Sequence, residues 1–376
     1  MSAPLIAHVI FRLQVGGLEN GLANLIDRIP DSRYRHAIIS LTDTTDFRER
    51  IRGGVPIIAL NKSPGHDIKV FARMWKVLRE LRPDVVHTRN LAALEMQVPA
   101  ALAGVGARVH GEHGWDIFDP DGQNRKYQLL RRGLSPFVHR FVPLSRHLHG
   151  YLRDRVGIPK SKLRQIYNGV DTERFAPSGA SPRSKVFPNW PTDAVIIGTV
   201  GRMETVKDQP TLARSFIRLR ERSPQARAKA RLVLLGDGAL RGEVERVLSE
   251  GDALEAAWLP GSRDDVASLL PGFDIFVLPS LAEGISNTVL EAMSCGLPTV
   301  VTEVGGNPEL VGADHGRLVK AGDVESMSEA LALYVQDANQ RREHGQQARR
   351  KIETNFSIDT MVESYLSVYD EVLNRV

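Results

Sequence analysis

Short runs of consecutive apolar residues alternate with longer stretches whose apolar positions recur every three or four residues, along almost the whole chain. In the first half the short runs are Leu5–Phe11, His36–Leu41, Pro56–Leu60, Asp84–Thr88, Ala107–Glu112, Phe137–Leu144 and Leu163–Tyr167. Helical periodicity separates them over Leu18–Arg28, Ile68–Leu81, Ala92–Ala103 and Arg146–Val156. The second half repeats the scheme, with strands predicted at Ala194–Val200, Arg231–Leu235, Ala256–Leu259, Asp274–Leu278 and Thr299–Thr302. Its helices are predicted at Gln209–Arg220, Leu240–Leu248, Ser286–Ser294, Val324–Gln336 and Asn339–Asn355, with a closing helix over Ile358–Val376. Continuous apolar strands alternating with amphipathic helices predict parallel sheets covered on both faces. Between the halves Pro177, Pro182, Pro188 and Pro191 stand among Ser, Gly and Asn, which reads as a linker over 177–191. The expected fold class is α/β: two Rossmann-like, doubly wound domains, 1–176 and 192–356, facing a cleft. Ligands are then expected beyond the carboxyl ends of the strands.

Composition adds exclusions. At 376 residues, 42% hydrophobic and 25% charged, the chain suits two or three folded domains and not a disordered one. A single cysteine, Cys295, excludes an intramolecular disulfide and a cysteine-only zinc site. It lies in a buried helical pattern and reads as packing. The N-terminus carries no signal-peptide pattern, and no run reaches the ~18–20 apolar residues of a membrane span. The expectation is a cytoplasmic protein. The net charge of +4 is unevenly spread. Between Gln123 and Arg164 stand Arg125, Lys126, Arg131, Arg132, Arg140, Arg146, Arg153, Arg155, Lys160, Lys162 and Arg164, against Asp154 alone. Such a run attracts anions or forms solvated helix faces. It carries no nucleic-acid recognition motif.

Five loops after predicted strands carry candidate chemistry. Gly16-Gly17 before a helix lets a ligand approach the backbone, or simply makes a turn. Its spacing does not meet the dinucleotide fingerprint. His110-Gly111-Glu112-His113-Gly114-Trp115-Asp116 raises a metal reading, but His110 and Glu112 share a strand face while His113 falls in the loop, so no metal is expected. Arg202 and Lys207 in the loop after Val200 can converge on a diphosphate, or stand exposed. Gly236-Asp237-Gly238 suits a nucleotide along the strand ends, or a plain turn. The fifth loop runs from Pro279 to Pro298. It places Glu283 before a helix, the amides of Gly284, Ile285, Ser286 and Asn287 at the helix start, and Glu291 two turns in. Two carboxylates alone would also suit a glycosidase; the helix-start anion site favours nucleotide–sugar chemistry.

These motifs, with Glu112-His113-Gly114, Ile166-Tyr167-Asn168-Gly169-Val170-Asp171, Leu259-Pro260-Gly261 and Gly305-Gly306-Asn307-Pro308-Glu309, resemble the retaining GT-B glycosyltransferases of glycosyltransferase family 4. The sugar transferases of bacterial exopolysaccharide systems, including those of PEP-CTERM sorting clusters, are the nearest pattern. The resemblance implies transfer of a sugar from a nucleotide-diphosphate donor to a glycan or lipid-linked acceptor, with no cofactor and no metal. It implies that Gly17 serves the diphosphate, His113 a donor-sugar hydroxyl, Arg202 and Lys207 the leaving diphosphate, and Glu283 the sugar hydroxyls. Glu291 would hold the ribose, the base would lie near Trp258–Gly261, and the last helix would cross back to the first domain. Ile285-Ser286-Asn287 departs from the Phe-Gly-Leu of many members and leaves the sugar open. Leu129, Leu130, Leu134, Phe137 and Phe141 among the basic residues suggest peripheral contact with the inner face of a membrane, or a core-facing helix. Alternatives are a GT-B epimerase or phosphorylase, and a non-catalytic nucleotide-sugar-binding protein.

Overall fold

The computed structural model describes residues 2–65, 67–115, 119, 122–177, 187–188 and 190–375. It divides into two compact units, Met1–Gly169 with Ile358–Val376, and Val170–Ser357. The division falls before Val170, not after residue 176, because the segment behind it is tied to the second unit. Val170 N donates to Phe356 O at 2.9 Å, and Phe175 O accepts from Ser294 Oγ at 2.6 Å and Arg349 Nη1 at 2.9 Å. Most of the expected linker lies outside the described residues. At its far end the Phe187 ring packs against Trp258 and Phe273, so that residue belongs to the second core.

The first unit holds a parallel sheet of β1 (Leu5–Ile10), β2 (Arg35–Ser40), β3 (Ile57–Ala59), β4 (Val85–Arg89), β5 (Ala107–Glu112) and β6 (Arg140–Pro143), in the order β3-β2-β1-β4-β5-β6. The second holds β7 (Val195–Val200), β8 (Ala230–Leu235), β9 (Ala257–Gly261), β10 (Ile275–Leu278), β11 (Thr299–Thr302) and β12 (Gly316–Val319), in the order β12-β11-β10-β7-β8-β9. Counted within its own unit, each sheet has the same doubly wound order. The chain direction across the sheet reverses beside β1 and beside β7. The loops leaving those strands therefore open at the switch points where such sheets take ligands. β1, β4 and β10 are buried at every position, as expected of strands covered on both faces.

The terminal helix Ile358–Leu373 packs on the first sheet. Met361, Val362, Tyr365, Val368, Tyr369 and Val372 join a core cluster with Ile6, Val85 and Val109. Glu371 on that helix accepts from Arg140 at 2.6 and 3.0 Å and from Arg164 at 3.0 Å. These guanidiniums pull its carboxyl down to about 2.

Several elements differ from expectation. Leu163–Tyr167 forms only one bridge, Leu163 to Phe141, and runs on beside β6 through two more amide bonds. β6 ends at Pro143, which has no N–H to continue a ladder. The Ala92–Ala103 pattern is two short helices, Leu91–Leu94 and Gln97–Leu102. Arg146–Val156 is one α turn followed by a π segment from Tyr151 to Val156. Helix Arg125–Leu134 and the edge strand β12 are additional.

Candidate functional site

In the second unit four loops meet at the carboxyl edge of the sheet. The backbone does much of the joining. Gly201 N donates to Leu235 O at 2.9 Å, Met203 N to Asp237 O at 2.8 Å, and Gly236 N to Gly261 O at 2.9 Å. Gly236 (φ 142°) and Gly238 (φ 154°) have no alternative: a Cβ would sit 2.0 Å from Gly201 O and 2.5 Å from Met203 O. The turn Thr205–Lys207 is then fixed to the glutamate loop, where Leu281 N donates to Val206 O at 2.8 Å.

That bond aligns two side chains. Lys207 Nζ donates to Glu283 Oε1 at 2.5 Å, with 26% of the lysine side chain and 9% of the glutamate exposed. The Glu283 loop is itself clamped from behind. Gly306 N donates to Gly284 O at 2.9 Å, and a Cβ on Gly305 (φ 54°) would lie 1.8 Å from Glu283 O. An ammonium has three donors, so Lys207 can hold Glu283 and still face an anion. Arg202 does not join this pair. Its side chain is exposed, while its neighbour Met203 is buried, and its backbone oxygen accepts from Gln209 Nε2 at 2.9 Å. Of the two cations expected at a diphosphate, Lys207 pairs with Glu283 and Arg202 stands exposed.

The helix after Glu283 spans Asn287–Ser294 and is capped by Ser286, whose Oγ accepts from Val289 N at 3.4 Å. One helix-start amide is therefore taken by the chain's own hydroxyl. Ile285 is turned inward and buried, contacting the space above Gly306. Glu291 stands half-buried on this helix. Burial pushes its carboxyl up to about 7, partly opposed by the positive field of Arg174. Cys295 is buried, with its thiol pushed up to about 12 by desolvation and by Glu291, so the packing reading stands.

In the first unit Gly16 caps helix Gly17–Arg28 in extended conformation. Its oxygen accepts from Asn20 N and Asn20 Nδ2, each at 3.0 Å, and a Cβ there would lie 2.3 Å from Glu19 Oε2. His113 follows β5. Its amide donates to Asn90 Oδ1 at 2.8 Å, its ring Nε2 is buried without a partner among the described residues, and burial beside Arg89 brings it down to about 3. His110 and Glu112 pair at 3.3 Å, but Glu112 is claimed by Arg131 at 2.6 and 3.2 Å, which holds its carboxyl near 2. Among the described residues no three His, Cys, Asp or Glu side chains gather as a metal site. Asp116 lies outside the described residues.

Part of the basic stretch is structural, although Arg125, Lys126, Arg132, Arg146, Arg153, Arg155, Lys160 and Arg164 are exposed. Arg131 and Arg140 are buried in ion pairs, Phe141 is fully buried, and Leu130 and Leu134 pack against a core cluster. Phe137 is half-buried and only Leu129 is exposed, at 66%. Much of the apolar part of the expected membrane face is therefore core: helix Arg125–Leu134 turns Leu130 and Leu134 inward and β6 buries Phe141, while Leu129 faces outward. No helix of the described residues is long and apolar enough to cross a membrane.

Sequence reading missed Arg89, the last residue of β4 and 3% exposed. The only signal was a polar His-Thr-Arg-Asn run closing an apolar strand.

Two family models match the chain: residues 15–174 fit Glycosyltransferase Family 4 and residues 194–337 fit Glycosyl transferases group 1. This chain belongs to glycosyltransferase family 4. It is a nucleotide-sugar-dependent glycosyltransferase. The UDP-Gal:alpha-D-GlcNAc-diphosphoundecaprenol alpha-1,3-galactosyltransferase of Escherichia coli is 27% identical over 98% of this chain and 98% of its own length. EpsF of Bacillus subtilis is 26% identical over 88% of this chain and 86% of its own. The crystal structure of Anabaena HepE in complex with UDP matches with a TM-score of 0.82 at 19% identity, over 97% of this chain and 99% of HepE, which shows the shared GT-B fold.

Proposed function

We propose that this glycosyltransferase moves a sugar, with retention of anomeric configuration, from a UDP-sugar to a lipid-linked glycan in the building of a cell-surface or exported polysaccharide. The observation that carries the reading is Lys207 resting on Glu283 at 2.5 Å at the carboxyl edge of the second sheet. A cation and a carboxylate held together there suit a donor that presents a diphosphate on one side and sugar hydroxyls on the other. The full-length E. coli relative, whose name gives a UDP-sugar donor and a diphosphoundecaprenol acceptor, supports the choice of substrates.

The roles follow from charge. As the glycosidic bond breaks, the diphosphate gains negative charge, so Lys207, and Arg202 from its exposed position, act chiefly on the transition state. One such group is worth about 3 kcal/mol. Glu283 and the segment Gly284–Asn287 take the donor-sugar hydroxyls, Glu291 the ribose, and Gly236 and Gly261 line the nucleotide. Gly16 and Gly17 serve the diphosphate and His113 a sugar hydroxyl. The acceptor oxygen attacks the face from which the diphosphate departs, and the leaving phosphate takes its proton. The protein works in the cytoplasm at the inner membrane face, where exposed Arg125, Lys126 and Arg132 meet anionic headgroups.

The test is a panel of UDP-sugars with a prenyl-diphosphate-linked sugar as acceptor, read by product mass and by proton NMR of the new anomeric centre. Transfer with the donor's configuration supports the reading; inversion, or phosphorolysis in place of transfer, contradicts it.

A further inference from the structure

Arg89 is a buried guanidinium, and among the described residues no carboxylate lies within ion-pair reach of it. Its side-chain hydrogen-bond partner is a neutral group. Arg89 Nη1 lies 3.0 Å from His8 Nδ1, and its positive field also reaches the hydroxyls of Tyr365 and Tyr369. A guanidinium only donates, so His8 Nδ1 must accept. His8 then carries its proton on Nε2 and passes a hydrogen bond to His36 Nδ1 at 3.0 Å. Burial holds His8, His36, His87 and His113 below the usual imidazole range, and the positive field of Arg89 adds to each shift. The field is therefore uncompensated over several residues. Glu19 feels it too, but makes no ion pair with Arg89, and burial raises its carboxyl. Burying an unpaired charge is costly, and proteins meet that cost with a counter-charge or a ligand.

The position favours a ligand. Arg89 ends β4 in register with Gly111, and β4 lies next to β1 at the switch point of the first sheet. Asn90, immediately after it, adopts φ 59° and ψ 166°, a region usually left to glycine. Its amide is held by Gly111 O at 2.8 Å and its Oδ1 by the His113 amide at 2.8 Å. Two further donors converge on Gly111. His87 and His113 each carry a buried Nε2 with no partner among the described residues. A Cβ placed on Gly111 would lie 3.1 Å from the first and 2.5 Å from the second. The His87 ring is set from its other side by Tyr369, whose hydroxyl is 2.8 Å from Nδ1.

We propose that Arg89, with the imidazole of His87, forms an anion site beside His113 at the carboxyl edge of the first sheet, and that it takes a phosphoryl group borne by a substrate. A planar guanidinium offers a fork to phosphate oxygens and a neutral imidazole can add an N–H. The proposal rests on the glycosyltransferase reading for the identity of the substrates, not for the existence of the site. The phosphoryl group comes either from the acceptor's diphosphate or from the donor's.

The probe is inorganic pyrophosphate, titrated calorimetrically into the full chain carrying Arg202→Ala and Lys207→Ala, which removes the two cations proposed for the donor diphosphate. One pyrophosphate is expected to remain bound. Adding Arg89→Gln should weaken it about tenfold or more, the loss of one charge-assisted contact. Gly111→Ala, which keeps the charge but sets a methyl 3.1 Å from His87 Nε2 and fills the space beside it, should do the same, and Arg89→Lys should retain most of the binding. Circular dichroism reports folding of each variant. Absence of binding in the starting variant, or indifference to both Arg89→Gln and Gly111→Ala, overturns the site. Displacement by UDP assigns the phosphoryl group to the donor, displacement by farnesyl diphosphate to the acceptor, and displacement by neither overturns its substrate origin. A chain inactive with every UDP-sugar that still binds pyrophosphate through Arg89 would sink the transferase substrates proposed above and leave this site standing.

Discussion

Glu291→Gln offers a quantitative check on the second unit's site. The Glu291 carboxyl makes no hydrogen bond or ion pair among the described residues, and burial raises it from 4.5 to about 7. The folded chain therefore keeps a proton between those values that the unfolded chain releases. Stability is full below about 4.5 and falls as pH rises through about 7, because the unfolded state gains charge freely while the folded state pays to bury it. The difference amounts to about 3 kcal/mol at pH 8. For a unit of this size that is roughly 6–12 °C in melting temperature. Glutamine keeps the shape without the charge. The variant should match the wild type near pH 5 and melt higher at pH 8, as read by thermal unfolding across pH 5–8.5. A ribose on this carboxylate adds a second signature: UDP should stabilise the wild type more at pH 8 than at pH 6, and the variant equally at both. Parallel stability curves for the two proteins would refute the assignment of a desolvated, unpaired carboxyl.

Other perturbations follow from the same geometry. Gly305→Ala places a methyl against Glu283 O in a backbone region that disfavours side chains; it should destabilise the second unit by about 2 kcal/mol or more and lower transfer, measured by urea unfolding and by initial rates. Arg131→Met strands the Glu112 carboxylate in the core, and should cost about 3–5 kcal/mol in the same unfolding assay. Glu371→Gln loosens the terminal helix from Arg140 and Arg164. Because the carboxyl is held near 2, its stabilisation is present above about 4.5 and lost as pH falls through about 2, so wild type and variant should converge in strong acid.

Strand positions were legible because the central strands are buried on both faces, leaving apolar runs such as Ile275–Leu278, unbroken, and Leu5–Ile10, broken only by His8. The edge strand Gly316–Val319 was not, since an edge position tolerates Gly316 and Arg317 and blurs the pattern. Helix Arg125–Leu134 was hidden by its charges: Arg131 is buried, but its partner Glu112 lies on another element and leaves no local trace. The glycine–glutamate motifs marked the second unit's site well, because backbone approach and helix starts impose spacing on the sequence. Side-chain direction had no such marker. Arg202 and Lys207 are five residues apart in one loop, yet only the turn Thr205–Lys207, anchored by Leu281, brings its lysine to Glu283. Arg89 was invisible for a related reason: a buried cation without a sequence-near acid looks like any strand end.

Titration of UDP and of a UDP-sugar donor into wild type, Lys207→Ala and Glu283→Ala, each checked for folding, tests the account most directly. Loss of Lys207 should weaken both ligands by about two orders of magnitude, the scale of one charged donor on a diphosphate. Loss of Glu283 should spare UDP and weaken only the sugar-bearing ligand. UDP binding undiminished in a folded Lys207→Ala protein would contradict the claim that this lysine faces the diphosphate.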